Sequence, residues 1–149
     1  MDRKKPLTYE EFEYIYKRVP RLCVEVIVVN EQGVLLTLRK EQAWKGQWHI
    51  PGGTVYLRES METAVKRVAH EELGIGVDIQ EFLGFIEYFS EEKVRGFGYS
   101  IGLAFLCYPL PGDIVVNDQA DKAQYFLEVP ENTITEQKEM LEHVLSQDY

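Results

Sequence analysis

Residues 48–75 constrain the fold of this chain most, because they combine a double glycine, an amphipathic segment and two adjacent glutamates in that order. Gly52 and Gly53 lack a Cβ atom, so we expect the backbone to turn sharply there and to present a carbonyl oxygen. Ser60 is a typical N-cap residue and Gly74 a typical helix stop, and together they predict a helix over residues 60–73. The apolar residues on one face of this helix are Met61, Ala64, Val65, Val68 and Ala69.

The two glutamates, Glu71 and Glu72, fall in the last turn of the predicted helix. Negative charges at a helix C-terminus oppose the helix dipole, so a solvated acidic helix end is the weaker explanation for them. Carboxylate oxygens are hard donors, which suit Mg²⁺ and also Mn²⁺. The whole chain has a formal net charge of −9, so a polyanionic substrate would be repelled unless cations bridge it. Both observations predict a divalent metal at this helix end.

Length and composition indicate a small globular protein. With 149 residues, the chain fits one domain, residues 1–149, with room for a proper core. No apolar run is long enough to cross a bilayer and no signal peptide is visible, so we expect no membrane partner. Lys and Arg do not cluster as in nucleic-acid-binding proteins, which argues against a nucleic-acid polymer as partner. Cys23 and Cys107 lie in apolar runs, which favours reduced thiols and a cytoplasmic location.

The rest of the chain alternates predicted strands and helices. Thr8 and Glu11 have the spacing of a capping box, which predicts an N-terminal helix over residues 8–18. Another helix is predicted near the C-terminus, and the order of elements predicts an α/β fold in which a mixed sheet packs between helices. The predicted strands are residues 22–29, 34–39, a segment ending at Pro51, 77–80, 82–89, 99–107 and 123–129; the final helix is 135–145, and 90–98 is a predicted loop.

Residues 53–75 resemble the signature of the Nudix hydrolase family, G-x5-E-x7-R-E-U-x-E-E-x-G-U, in which U is a bulky aliphatic residue. The resemblance implies an α/β/α sandwich and a Mg²⁺-dependent hydrolase, with Mn²⁺ as an alternative ion. The implied substrate is a small nucleotide, a nucleoside diphosphate linked to another moiety, of the nucleotide-sugar or nucleoside-triphosphate class, which water attacks at the diphosphate. The matching positions are Gly53, Glu59, Arg67, Glu71, Glu72, Gly74 and Ile75, with the smaller Ala69 at the first U.

The same resemblance implies roles for individual residues. Glu71 and Glu72 would bind the metal and act in catalysis together with Arg67. An ion pair of Arg67 with Glu59 or Glu71 would brace the loop before the helix. Gly53 would lie against the substrate.

One position departs from the signature: a glutamate of the family is Val68 here. Residues four apart share a helix face, so Val68 lies one turn below Glu72, where a further carboxylate would join the metal cluster. Valine can neither ligate a metal nor accept a proton. The site therefore binds fewer ions, takes a base from elsewhere or has lost the chemistry. Glu87 is the favoured replacement base, while Glu91 and Glu92 fit a solvated loop tip.

Residues 9–21, 23–39 and 48–74 resemble more specifically the GDP-mannose mannosyl hydrolases, a branch of the family that also lacks this glutamate. The branch cleaves the sugar C–O bond of a GDP-sugar, and the resemblance implies a homodimer formed through the N-terminal region. Two positions depart from the branch. Thr54 stands where the branch has an arginine, and Ala120 stands where it has a catalytic histidine.

The branch resemblance also implies a set of ligands. The metal would be held by the carbonyl oxygen of Gly52, by Glu72 and by the side-chain amide of Gln119. Arg39 would lie near the diphosphate and Tyr99 in the substrate site. An arginine or a tyrosine at a strand end also fits ordinary surface or rim packing, so both interpretations of these two residues stay open.

Three functional hypotheses follow from these residues. The first is a metal-dependent hydrolase that cuts the diphosphate of a nucleotide derivative. The second is a nucleotide-sugar glycosyl hydrolase, which is less favoured because the histidine is missing. The third is a binding module that keeps the fold without turnover, which Val68 and Ala120 support and the retained glutamates oppose.

Overall fold

The computed structural model describes residues 5–41 and 43–147. Within these ranges the helices are α1 (Tyr9–Tyr16), α2 (Met61–Leu73), α3 (Glu91–Arg95) and α4 (Thr135–Leu145). The strands are β1 (Arg21–Asn30), β2 (Gly33–Arg39), β3 (Trp48–His49), β4 (Gly52–Thr54), β5 (Val77–Tyr88), β6 (Ser100–Pro109) and β7 (Ala120–Phe126). No helix in the described ranges combines the length and the apolar character needed to cross a lipid bilayer.

The strands form one mixed sheet in the order β3-β2-β1-β6-β5, with β4 paired to β1 and β7 paired to β2. β1 and β6 are parallel, in register from Arg21 opposite Ser100 to Val28 opposite Cys107. The other strand pairings are antiparallel. β1 is therefore flanked by β6 along one edge, and by β4 and then β2 along the other.

Helices cover both faces of this sheet. Successive residues of a strand point to opposite faces, so Val26 and Ile27 of β1 belong to different cores. Val26 packs in a buried cluster with Val65 and Leu73 of α2. Ile27 packs in a second buried cluster with Leu141 of α4. The predicted α/β/α sandwich with a mixed sheet is confirmed.

The predicted helix ends are confirmed by their capping contacts. Thr8 and Glu11 form the capping box of α1, which covers the central part of the predicted segment. The Ser60 hydroxyl accepts the backbone N–H of Thr63 at the start of α2. Gly74 ends α2 with a left-handed φ of 68°, a conformation that glycine adopts without a steric cost.

The two strands predicted at residues 77–80 and 82–89 are one strand, β5. Its pairing with β6 shifts register between Ile79 and Glu81 and again between Phe82 and Gly84. Such bulges take up an extra residue without ending the ladder. The shifts disturb the apolar alternation, which is why the pattern suggests two strands.

Two further predictions need correction. The predicted loop over residues 90–98 contains the short helix α3. The strand predicted at residues 123–129 is β7, which runs from Ala120 to Phe126. Its start is hidden because Asp121 and Lys122 are exposed polar residues, although Lys122 pairs with Leu38 of β2.

Candidate active site

Arg67, at the middle of α2, is the centre of a buried hydrogen-bonded cluster. Its Nε donates to Glu59 Oε2 at 2.6 Å and its Nη2 to Glu59 Oε1 at 3.0 Å, a two-point pair that matches the fork of the guanidinium. Nη1 donates to Glu71 Oε2 at 3.1 Å, and Nη2 also donates to the carbonyl oxygen of Thr54 at 2.7 Å. The Tyr56 ring centroid lies 3.9 Å from the guanidinium carbon. The cluster therefore ties the end of α2 to β4.

The predicted ion pairs of Arg67 with Glu59 and with Glu71 are both present. Glu59 is 8% and Arg67 6% exposed, so neither charge is solvated. Removing one partner of such a pair leaves the other charge buried, which typically costs about 3–5 kcal/mol. The pair is therefore a rigid support for the carboxylate of Glu71.

Gly52 and Gly53 are required by close packing and not by the predicted turn. They lie in β4, paired with Glu25 and Val24 of β1, and neither has a positive φ. A Cβ at Gly52 would lie 2.6 Å from Glu25 Oε2 and 2.9 Å from the Val24 carbonyl oxygen. A Cβ at Gly53 would lie 3.1 Å from Val68 Cγ2. The predicted sharp turn is wrong, and these glycines instead let β1 and α2 approach β4 closely.

Val68 is a core residue. Its side chain is 1% exposed and belongs to the buried cluster between α2 and the sheet, together with Val24 and Val65. The position where the signature has a carboxylate is thus filled by apolar packing beneath Gly53.

Glu72 is half-buried at the end of α2. Burial raises the pKa of this carboxyl, while the neighbouring Asn117 side chain and the positive charge of Arg39 oppose the rise. Sequence reasoning chose Gln119 in this loop and missed Asn117, although the polar run of residues 117–119 was a signal. Gln119 donates its backbone N–H to Asn117 Oδ1 at 3.0 Å, and the metal role of its side chain stays a prediction.

Arg39 ends β2 in a half-buried setting. Its Nε donates to the carbonyl oxygen of Ala43 at 2.7 Å, and its guanidinium lies 6.0 Å from the centroid of the Trp44 ring. His49 Nε2 lies 3.3 Å from Arg39 Nη1, and His49 Nδ1 lies 3.0 Å from the Thr37 carbonyl oxygen. Burial and the Arg39 charge lower the pKa of His49 to about 3, so its ring is neutral. The negative charge of Glu72, at the end of α2, acts on Arg39 and opposes the lowering of its pKa.

Tyr99 lies at the rim formed by the end of β5 and the start of β6. Its hydroxyl donates to Glu87 Oε2 at 2.8 Å, and its ring centroid lies 5.2 Å from that of Phe89. Glu87 and Phe89 are exposed. These contacts belong to the rim rather than to the end of α2, so the substrate role of Tyr99 and the base role of Glu87 stay predictions.

Glu91 is not the solvated loop tip that the sequence suggests. It is 1% exposed at the start of α3. One of its oxygens pairs with Arg21 and Arg95, and the other accepts the hydroxyl of Ser100. The surrounding guanidiniums explain why a carboxylate is tolerated in the interior.

A buried polar relay that sequence reasoning missed connects α4 to the glycine strand. The backbone N–H of Ile50 donates to Gln137 Oε1, Gln137 Nε2 donates to the Tyr88 hydroxyl, and that hydroxyl donates to Glu25 Oε1, each at 2.8 Å. Burial raises the pKa of Glu25 to about 8. The other oxygen of Glu25 packs against Gly52. Isolated polar residues inside apolar strands were the sequence feature that could have indicated this relay.

The end of α2 offers donors that fit a divalent cation. The carboxylates of Glu71 and Glu72 are hard oxygen ligands, as are the carbonyl oxygen of Gly52 and a side-chain amide such as that of Asn117. In the part of the chain that the structure describes, no three His, Cys, Asp or Glu side chains group closely enough to hold a metal. A cation here would therefore need carbonyl or amide oxygens beside the two carboxylates.

Comparisons with known proteins identify the family of the chain. A family model described as "NUDIX domain" matches residues 19–144. The chain is 42% identical over 80 residues to the low-salt glycan biosynthesis protein Agl8 of Haloferax volcanii, covering 54% of this chain and 51% of that protein. It is 31% identical over 107 residues to an ADP-ribose pyrophosphatase of Methanocaldococcus jannaschii, covering 72% of this chain and 62% of that protein.

Solved structures give the same result for the fold. The crystal structure of a MutT NUDIX hydrolase from Burkholderia pseudomallei superposes with a TM-score of 0.73 at 25% identity, covering 89% of this chain and all of that one. The chain spans less than two thirds of the length of the two curated relatives.

Proposed function

Because the chain belongs to the NUDIX family, we propose that it is a hydrolase of small nucleotides, with its active site at the C-terminal end of α2. Its substrate is a nucleoside diphosphate linked to another moiety. Its cofactor is a divalent metal, Mg²⁺ or Mn²⁺. Water attacks the diphosphate, and the P–O bond to one side of the bridge breaks.

The observation that carries this proposal is the cluster around Arg67. Four hydrogen bonds hold its guanidinium to Glu59, Glu71 and the Thr54 carbonyl oxygen. The cluster fixes the Glu71 carboxylate near the C-terminal end of α2 and ties it to the glycine strand through the Thr54 carbonyl oxygen. A supported acidic site of this kind fits metal-assisted attack on phosphate.

The residues have separate roles in this mechanism. Glu72, Glu71 and the Gly52 carbonyl oxygen would hold the metal, with Gln119 or Asn117 as an amide ligand. A divalent cation bound there would supply charge neutralisation for the diphosphate and orientation for the attacking water. Arg67 keeps Glu71 in place.

Residues around the helix end bind the substrate. Arg39 contacts the diphosphate, since its guanidinium is half-buried and lies near enough to Glu72 for their charges to interact. Gly53 borders the substrate through its backbone, because the position of its missing side chain faces Val68, and Tyr99 borders the bound nucleotide.

The substrate class is best narrowed to nucleotide sugars. One relative is named for glycan biosynthesis and another as an ADP-ribose pyrophosphatase. ADP-ribose is itself a nucleoside diphosphate joined to a sugar. A panel of nucleotide sugars and nucleoside triphosphates, assayed with Mg²⁺ and with Mn²⁺, tests this class. Turnover of triphosphates alone would contradict it.

Cleavage of the sugar C–O bond is the second candidate reaction. The branch resemblance favours it, but Ala120 provides no base. His49 is a weak base, because its pKa is lowered to about 3, and its Nδ1 is bonded to the Thr37 carbonyl oxygen. Hydrolysis in ¹⁸O-labelled water separates the reactions, because label enters phosphate after P–O attack and the sugar after C–O attack. Nucleotide binding without any turnover would instead identify a binding module.

We also propose a cytoplasmic homodimer. Cys23 and Cys107 are buried free thiols, as expected of a protein from a reducing compartment. On α1, Tyr9 is 66% and Tyr14 63% exposed, which leaves apolar surface for a second copy. Light scattering at micromolar concentration tests the assembly, and a monomer would contradict it.

A further inference from the structure

Two arginines share a single carboxylate oxygen beside the glycine strand. Arg21 Nη2 lies 3.4 Å and Arg95 Nε 2.9 Å from Glu91 Oε2. The other Glu91 oxygen is already engaged by Ser100. One buried negative charge thus faces two positive ones, and the group carries a surplus positive charge.

Arg21 also keeps a hydrogen-bond donor without an acceptor. Its Nε is buried and has no partner among the described residues, whereas most buried donors in proteins are paired. Its Nη1 donates to Thr54 Oγ1 at 2.9 Å, so the guanidinium is held in place beside β4. An unpaired donor on a fixed cation is a feature that an anionic oxygen would complete.

A third guanidinium adds to this positive region. Burial, and then the positive charge of Arg95, lower the pKa of Arg39. Glu41 and Glu72 oppose this lowering, and Arg21 adds a smaller one. The positive charges of Arg95 and Arg21 therefore repel that of Arg39. Binding of an anion would relieve the repulsion.

The position of the pair relates it to the candidate active site. Thr54 directly follows the two glycines of β4. Its hydroxyl accepts from Arg21, while its carbonyl oxygen accepts from Arg67 of the metal-site cluster. One residue of β4 thus connects the arginine pair with the acidic helix end.

We propose that Arg21 and Arg95 form an anion subsite that binds an oxygen of the substrate diphosphate which the metal does not hold. The proposal rests on the proposed function and adds to it a second, metal-independent contact with the same ligand. The metal at the acidic helix end then neutralises part of the diphosphate charge, and the arginine pair neutralises another part.

A purely structural role for the pair is the competing explanation. The Phe12 ring of α1 lies 5.3 Å from the Arg21 guanidinium carbon and 5.9 Å from that of Arg95, so the pair also anchors this helix. An anchor would affect melting temperature and leave anion binding unchanged. The experiment must therefore measure both.

The test uses inorganic pyrophosphate as the probe, with the full-length protein in EDTA so that no metal contributes. Isothermal calorimetry should detect binding to the wild type, and Arg95→Gln should weaken it at least tenfold. Arg18→Gln removes one exposed positive charge outside the pair and should change the affinity less than twofold. Melting temperatures are recorded in parallel. Wild-type protein that does not bind pyrophosphate in EDTA, or a folded Arg95→Gln with unchanged affinity, overturns the proposal.

Steady-state kinetics separates this inference from the proposed function. If a nucleotide sugar is turned over, Arg95→Gln should raise KM about tenfold, and Arg95→Lys should recover part of that loss because it restores the charge. Unchanged KM in Arg95→Gln would overturn the subsite and leave the hydrolase proposal intact. Pyrophosphate binding that depends on Arg95, in a protein without turnover, would refute the hydrolase and support the subsite.

Discussion

At the scale of single residues, Val68 has the clearest experimental consequence. It is 1% exposed beneath Gly53, so Val68→Glu would bury a carboxyl group without a partner. We expect the variant to lose more than about 2 kcal/mol of unfolding free energy and to gain no turnover. Thermal and urea unfolding, together with a pyrophosphohydrolase assay, measure both quantities.

The matched control for that variant is Val19→Glu, because Val19 is 49% exposed. It should remain within about 0.5 kcal/mol of the wild type. A Val68→Glu protein that melts like the wild type and turns over faster would show that the position still belongs to the metal site.

Glu72 carries the strongest prediction about metal binding. Glu72→Gln removes one of two adjacent carboxylates at the end of α2, so divalent-ion affinity should fall by at least tenfold and activity should be lost. The fold should persist, because Glu72 lies outside the two buried clusters. Glu62→Gln, an exposed change in the first turn of the same helix, is the control. Equal Mn²⁺ affinity of both variants by calorimetry would contradict the assignment of Glu72.

His49 predicts a pH dependence of stability. Its pKa is lowered to about 3 in the folded protein, against about 6.5 in an unfolded chain. Because the pKa of His49 is lower in the folded protein, the unfolded chain binds a proton more readily. The free energy of unfolding is therefore highest above pH 6.5 and decreases as the pH falls below that value. Between pH 6 and pH 5 the wild type should lose about 1 kcal/mol more than His49→Gln.

Urea unfolding at pH 7, 6 and 5 measures this difference. His143→Gln, an exposed histidine change in α4, should keep the wild-type slope. Parallel pH profiles for the wild type and His49→Gln would show that His49 titrates normally.

Predictions for single residues succeeded where interactions between neighbours in the sequence determine the local structure. Ser60 and Gly74 act as helix caps through their own backbone preferences, and Arg67 reaches Glu71 because four residues make one helical turn. Position 52 requires glycine because Glu25 of another strand lies against it, and no local sequence pattern shows that contact. The burial of Glu91 depends in the same way on distant arginines.

At the scale of elements, Gln137 connects α4 with the segment that leads into β4. Gln137→Leu would leave the N–H of Ile50 without its acceptor and the Tyr88 hydroxyl without one donor. We expect a loss of about 1–3 kcal/mol in unfolding free energy, because a buried donor without a partner loses its solvation. Turnover should fall as well, since Ile50 lies two residues before Gly52.

The control for this variant is Glu139→Gln, an exposed change on the same helix. It should leave both unfolding free energy and turnover unchanged. If Gln137→Leu is as stable as the control, the relay does not support the glycine strand.

Element boundaries were predictable only where apolar residues alternate regularly. The apolar run of β1 was predicted to within a residue of its ends. β5 was split because its bulges interrupt the alternation, and the start of β7 was missed because Asp121 and Lys122 are exposed. Bulges and edge strands are set by the partner strand, so a single sequence contains little information about them.

At the scale of the whole molecule, the sandwich follows from the order of the elements, but its topology does not. Helices and strands in this order predict layers, and the two buried clusters confirm them. The pairing of β1 with β6 could not be read from the chain, because it joins residues far apart in sequence. Strand order is decided by tertiary contacts, and neither composition nor periodicity contains information about such contacts.

The parallel pairing of β1 with β6 determines when the sheet can form during synthesis. During synthesis, β1 leaves the ribosome long before β6, so one whole edge of an almost entirely apolar strand has no partner until Pro109 has emerged. Nascent chains of intermediate length are therefore the form most exposed to aggregation and to chaperone binding. A truncated product that stops before Ser100 would lack β6 and so could not complete the centre of the sheet, which makes such fragments targets for proteolysis.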